Sequence, residues 1–274
     1  MERCFLYSVQ DITSIGPLAD GRYACGMRTP RPPRKSTAPA AVPAAGDGLT
    51  REAVLAAALE LIDRKGVAAF SVRDLARALS VYPTALYWHV PGRNALIAGA
   101  VALALKDLTP VRRPADWTAG VRTLLRHYRE AVRAHPAIAP VLGAQLVSNE
   151  SMPPELMEYL LDLLVRAGFA GERLRHAYNT LVAAMVGFVT LELAPLPEDE
   201  PEAWAEVHQR RMQSVDVQRC PTLAREMPNL ARGAFVVRAR SGTDQPLNAS
   251  FDFWTETVIA GLRAQLAPPA GGPG

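Results

Sequence analysis

Residues 49 to 105 constrain this chain more than any other stretch. They read LTREAVLAAALELIDRKG, VAAFSVRDLARALSV and YPTALYWHVPGRNALIAGAVALAL, a run of short amphipathic helices with tight connections. In the first helix Val54, Leu55, Ala58, Leu61 and Ile62 recur at helical spacing behind Thr50, a good N-cap. Lys65 and Gly66 close it with a favourable charge and a C-cap glycine. Ser71 caps a second helix whose inward face is Val72, Leu75, Ala76 and Leu79. Proline suits a first helical turn, so a third helix begins near Pro83. Gly92 releases the chain, and a fourth helix starts at Arg93 or Asn94 and runs through Leu105.

The third helix presents an unusual surface. Leu86 and Val90 share one face. Thr84, Tyr87 and Trp88 fall on roughly the opposite face, where a small domain ordinarily places Lys or Glu. Aromatic side chains that point away from a core need a partner. When the second helix of a close pair carries them, the partner that fits is the major groove of DNA.

Ser71-Val-Arg-Asp-Leu-Ala-Arg-Ala-Leu-Ser-Val81, followed by Leu86-Tyr-Trp-His-Val90, resembles the DNA-binding domain of the tetracycline-repressor (TetR) family. The resemblance implies an all-α fold, with a three-helix helix-turn-helix head over 49–109 and a helical-bundle effector-binding and dimerisation domain over 110–267; composition sets off a leader over 1–48 and a tail over 268–274. It implies three partners: double-stranded DNA carrying a palindromic operator, a small-molecule effector, and a second copy of the chain. Base contacts are expected from Pro83, Thr84, Tyr87 and Trp88, with Arg73 adding another. Thr50, Ser71, His89 and Arg93 are expected to grip phosphates. Two residues depart from the family pattern. Ser80 stands where a glycine is usual, and a left-handed backbone there would cost about 1 kcal/mol. Tyr82 stands where a small polar cap is common.

Charge supports this division without requiring it. The net charge of +3 says little. Residues 49–113 hold nine basic and five acidic side chains, whereas residues 114–274 hold 15 and 18. A basic head on a mildly acidic body suits nucleic-acid binding, although soluble proteins often show unevenness of this size. The 27 arginines against three lysines reflect genomic base composition and carry no functional weight. Cys4, Cys25 and Cys220 are too few and too scattered for a disulfide framework or a zinc site. The apolar run Ala95–Leu105 is too short to span a bilayer, and the N-terminus lacks a secretory pattern. The expected setting is cytoplasmic, with no membrane association.

No enzyme constellation is present. The chain lacks a His-Glu-x-x-His helix, a phosphate-cradling glycine loop and a Gly-x-Ser-x-Gly elbow. No catalytic residue, metal or cofactor is expected. A helical interaction module that no longer reads DNA is the alternative, but it would have no reason to keep Thr84, Tyr87 and Trp88 exposed. The leader is proline-rich and basic between Arg28 and Pro43, which predicts an extended, mobile segment. Two readings stay open for it: an arm that contacts phosphates or the minor groove, and a true start at Met27.

Helices are expected over Thr118–Ala134, Ala137–Val147, the stretch from Pro153-Pro154 to Gly168, Glu172–Leu193 and from Phe251 or Asp252 to about Leu266. Ala203–Met212 would add a turn or two, and residues 214–250 are read as irregular. The helix from Glu172 is apolar over more than one face. It resembles the family's dimer helix, with Leu181, Ala184, Gly187 and Phe188 facing a partner alongside Trp254, Val258 and Leu262 of the last helix. Burial of both helices within one chain is the alternative. The effector site implied by the family would be lined by Trp117, Tyr128, Met157, Leu160, Leu164, Tyr178, Met185 and Phe188, although such stripes more often make ordinary core. In the tetracycline repressors a histidine before a Leu-Gly pair holds the drug's metal ion. Val141 of Ala139-Pro-Val-Leu-Gly143 stands there, and valine ligates nothing. The reading is a ligand-responsive homodimeric transcriptional regulator, a repressor released by its effector.

Overall fold

A computed structural model of the chain describes residues 49–110, 113–147, 152–195, 206–207, 210–211, 214–230, 234–235, 242–244 and 246–266. The leader, the C-terminal tail and most of Ala203–Met212 lie outside the described residues. All regular structure among the described residues is helical. The head consists of α1 (Arg51–Ala69), α2 (Val72–Ala78), α3 (Pro83–Tyr87) and α4 (Arg93–Ala104). The body follows with α5 (Trp117–Ala134), a 3-10 turn (Pro136–Val141), α6 (Leu142–Val147), α7 (Pro154–Ala167), α8 (Gly171–Glu192), α9 (Pro221–Leu230) and α10 (Asn248–Leu266).

Caps set the helix starts. Thr50 Oγ1 accepts the Ala53 N–H at 3.1 Å, and Ser71 Oγ accepts the Asp74 N–H at 3.1 Å. Asp116 starts α5 by accepting the Thr118 and Ala119 N–H groups. Each removes an orphan donor from a helix terminus. α1 breaks where expected, at Gly66 (φ 75°, ψ 158°), and one further turn carries it to Ala69. Ser80 does adopt the left-handed conformation, with φ 55°. The Val81 N–H then returns to the Ala76 carbonyl at 2.9 Å, turning the chain from α2 into α3.

Three expectations about elements are corrected. The stretch Ala137–Val147 is not one helix, because Pro140 lacks the N–H that α-helical bonding needs, and a 3-10 turn precedes α6. Residues 214–250 are not irregular throughout, since α9 occupies Pro221–Leu230. Pro221 sits in its first turn, where proline is tolerated, and Leu223, Met227 and Leu230 keep helical spacing. The last helix starts earlier than expected, at Asn248, because the Phe251 N–H already bonds the Leu247 carbonyl at 2.8 Å.

Burial joins these helices into one core. In the head, Val54, Ala58, Ile62, Leu75, Leu86, Leu96 and Val101 are buried together. α1 lies close on α4, and a Cβ on Gly99 would overlap the Leu55 side chain. α1 also packs against the 3-10 turn of the body, where Ile138 and Ala139 are buried. At that seam His135 Nδ1 lies 2.7 Å from Asp63 Oδ2. α5, α7, α8 and α10 form the bundle around Leu124, Leu160, Leu163, Leu181 and Met185.

The bundle also encloses a charged pair. Arg129 of α5 donates from Nε and Nη2 to the two carboxylate oxygens of Glu192 in α8, at 2.8 and 2.5 Å. Glu192 is fully buried, and its Oε1 accepts the Leu247 N–H at 2.9 Å. Arg129 also reaches Asn248 Oδ1 at 2.9 Å and lies 4.5 Å over the Phe251 ring. Arg133 donates to the Gly242 carbonyl at 2.8 Å, and the Gly242 N–H donates to the Glu192 carbonyl at 3.0 Å. These contacts fasten the approach to α10 onto the ends of α5 and α8.

Candidate nucleic-acid interface and helical body

α3 divides its side chains between two faces. Leu86 and Val90 sit beneath it, fully buried among α1, α2 and α4 residues. On the outside Trp88 is 90% exposed and Tyr87 52% exposed, and Thr84 is exposed beside them. Pro83 is half-buried in the first turn, and His89 is half-buried beyond the last. The fold therefore brings Thr84, Tyr87 and Trp88 onto the solvent side, and Arg73 of α2 is exposed as well.

Three of the four residues expected at phosphates have structural work in this fold. Thr50 and Ser71 accept helix N–H groups through their hydroxyl oxygens; the Thr50 O–H is left to donate to a phosphate, whereas the Ser71 O–H bonds the Asp74 carboxyl. Arg93 braces the head: Nε donates to the Phe70 carbonyl at 3.1 Å and Nη2 to the Val67 carbonyl at 2.7 Å. Only its remaining donors are open to a phosphate. Asp74 binds Lys65 at 3.0 Å and Arg77 at 2.7 Å. The bonds from Lys65 and Ser71 hold its carboxyl below the usual range.

Sequence reasoning left one exposed residue unassigned. Tyr82, the N-cap of α3, is 70% exposed and makes no capping bond. The signal for it was an aromatic at a cap position.

In the body, Tyr128, Leu160, Leu164, Met185 and Phe188 are buried, whereas Trp117, Met157 and Tyr178 are half-buried. The Tyr178 hydroxyl donates to Met152 Sδ at 3.4 Å. The Tyr128 hydroxyl is buried with no partner in the structure, and burial pushes its pKa up. A groove of about 480 Å³ runs between α8 and α10. Phe169, Arg173, His176, Val258 and Gly261 line it together with Leu262. None of the eight residues expected to line an effector site borders that groove.

The expected dimer residues divide. Leu181, Phe188 and Leu262 are buried within the single chain, so they do not lie on an assembly surface. Phe188 packs against Phe251 and Trp254 of its own chain, with both ring centroids 5.4 Å away. Ala184, Trp254 and Val258 are half-buried, and Gly187 faces open space. The outward stripe of α8 is Ala183, Gly187 and Leu191, and that of α10 is Phe253, Thr257 and Gly261. Phe253, at 77% exposure, is the largest apolar side chain on this side.

An exposed aromatic face on the second helix of a close pair, joined to a helical body, defines a class: helix-turn-helix regulators with an appended α-helical domain. The match to known proteins is specific. Residues 54–100 match the model of bacterial regulatory proteins of the tetR family, and residues 109–266 match that of the tetracyclin repressor-like C-terminal domain. The tetracycline repressor protein class C of Escherichia coli is 28% identical, over 78% of this chain and 90% of that protein. An HTH-type transcriptional regulator of Saccharopolyspora erythraea is 26% identical over 56% of this chain, and the match spans 64% of its own length. The crystal structure of the Streptomyces coelicolor TetR family protein ActR with actinorhodin superposes with a TM-score of 0.62 at 22% identity, over 82% of this chain and all of that one. At that identity the likeness is one of fold. The chain belongs to the TetR family and is a DNA-binding transcriptional regulator. Family membership points to a regulator and away from an enzyme. No described helix is long and apolar enough to cross a membrane.

Proposed function

We propose that this regulator is a cytoplasmic repressor that holds a palindromic operator as a homodimer and leaves it when an effector binds the body. The observation that carries the reading is the outer face of α3, where Trp88 and Tyr87 stand in solvent over a buried Leu86. Pro83, Thr84, Tyr87 and Trp88, with Arg73, read base edges and thymine methyls. Thr50, Ser71, His89 and the spare donors of Arg93 hold phosphates and fix register. The head occupies 49–109 and the effector and dimer body 110–267. An isologous dimer presents two α3 helices to half-sites about 34–36 Å apart, or at a nearby spacing that the body imposes.

The effector acts by binding one spacing of the heads more tightly than another. Its site lies among Tyr128, Leu160, Leu164 and Met185, with Tyr128 supplying a buried hydroxyl that has no partner among the described residues. Metal–tetracycline is disfavoured as that effector, because Val141 at the end of the 3-10 turn offers no ligand atom.

The test is selection of the purified full chain against a random duplex pool across a salt series. Enrichment of a palindrome supports the dimeric reader. Retention without enrichment, falling steeply with salt, would leave phosphate contacts alone. Absence of retention at low salt would favour the interaction module.

A further inference from the structure

Tyr82 does little for the helix it begins. Its backbone is extended (φ −72°, ψ 144°) and its carbonyl accepts the Ala85 N–H at 2.9 Å, but its side chain makes no capping bond. Ser, Thr, Asp and Asn are favoured at such positions because a short side-chain oxygen can take an orphan helix N–H. A phenol at the end of a ring is too far away to do so. Thr50 and Ser71 at the starts of α1 and α2 both make that bond.

Tyr82 does not pack either, since 70% of it is in solvent. Among residues 49–110 the large apolar side chains left exposed are Tyr82, Tyr87 and Trp88. All three fall within one seven-residue stretch around α3. A position that forgoes a capping side chain and instead exposes an aromatic one meets its partner outside the protomer.

Resting on the reading that α3 enters the major groove, we propose that Tyr82 is a further base-reading residue. It extends the recognised sequence at the leading end of α3, beyond the positions met by Thr84, Tyr87 and Trp88. Its ring can lie on a thymine methyl, and its hydroxyl can both donate to and accept from a base edge. Being neutral, it displaces no counterion from the backbone.

The experiment is the duplex-pool selection on the full chain, repeated with Tyr82→Ser, Tyr82→Phe and Trp88→Ala, with thermal unfolding of each. Tyr82→Ser supplies the missing cap, so its unfolding midpoint rises. In the same variant one base position per half-site loses its preference, operator affinity falls at least fivefold, and the salt slope is unchanged. Tyr82→Phe assigns the contact: a preserved preference points to the ring, and a lost one to the hydroxyl. An unaltered preference at every position in Tyr82→Ser overturns the proposal, as does equal weakening across all sequences. Trp88→Ala separates the two levels. If it weakens selection while Tyr82→Ser does not, only the role of Tyr82 falls. If neither variant changes selection, the groove reading of α3 falls and takes this proposal with it.

Discussion

Leu86 and Trp88 are two residues apart and occupy opposite media. Leu86→Ala removes a fully buried side chain and is expected to cost about 2–5 kcal/mol of stability, read from urea unfolding. Trp88→Ala should leave unfolding unchanged and cost about 1–3 kcal/mol of operator binding, read by titration of labelled duplex. Unfolding of the Trp88 variant would make that residue part of the core. Ser80 holds φ 55° without being glycine, so Ser80→Gly should stabilise the head by up to about 1 kcal/mol. Tyr128 carries a buried hydroxyl with no partner among the described residues, and Tyr128→Phe is expected to stabilise the apo protein by about 1 kcal/mol. A measured loss of stability would reveal a partner for that oxygen.

Between elements, the Arg129–Glu192 pair dominates. Burial alone would push the Glu192 carboxyl up, but the Arg129 bonds, the Leu247 N–H and the charges of Arg129 and Arg133 outweigh it and hold its pKa below the usual 4.5. A carboxyl depressed on folding adds stability that is complete above the unfolded value and is lost as pH falls through the lower folded one. Acid unfolding of the wild type should therefore steepen below pH 4.5, and the difference from Glu192→Gln should shrink there. At neutral pH Glu192→Gln leaves Arg129 uncompensated and should cost about 3–5 kcal/mol, measured by chemical unfolding.

No sequence pattern announces this pair, because its members are 63 residues apart and only the packing of α5 on α8 brings them together. The first helix was legible in full, since α1 buries Val54, Leu55, Ala58, Leu61 and Ile62 as their spacing marks, and α5 and α7 were legible as helices. α8 was legible as a helix but not in its orientation. With apolar side chains on more than one face, spacing cannot tell Leu181, which turns inward, from Gly187, which turns out. α9 was hidden because prolines read as breaks, although Pro221 is a helix start. At α3 the inner and outer faces were legible from Leu86, Val90, Tyr87 and Trp88, whereas the bracing role of Arg93 depends on carbonyls more than 20 residues away.

For the whole molecule, the homodimer proposed above would set the outward stripes of α8 and α10 between its protomers. Gly187 and Gly261 have open space where a side chain would stand. Lysine at both positions should therefore leave the protomer folded, since each glycine lowers helix propensity by about 1 kcal/mol relative to alanine. The double variant is expected to sediment as a monomer and to bind a single half-site as well as a full palindrome, the gain from linking two heads being lost. An intact dimer would place the interface on another surface.

The seam between α1 and the 3-10 turn bears on how such a protein can be taken apart. A chimera that joins this head to a foreign body at residue 109 cuts away His135 from Asp63 and strips Ile138 and Ala139 from α1. The head is thus not an interchangeable cassette. A transplant that still responds to the foreign body's signal has to redesign the α1 surface, or carry the native turn with it and make its join after residue 147.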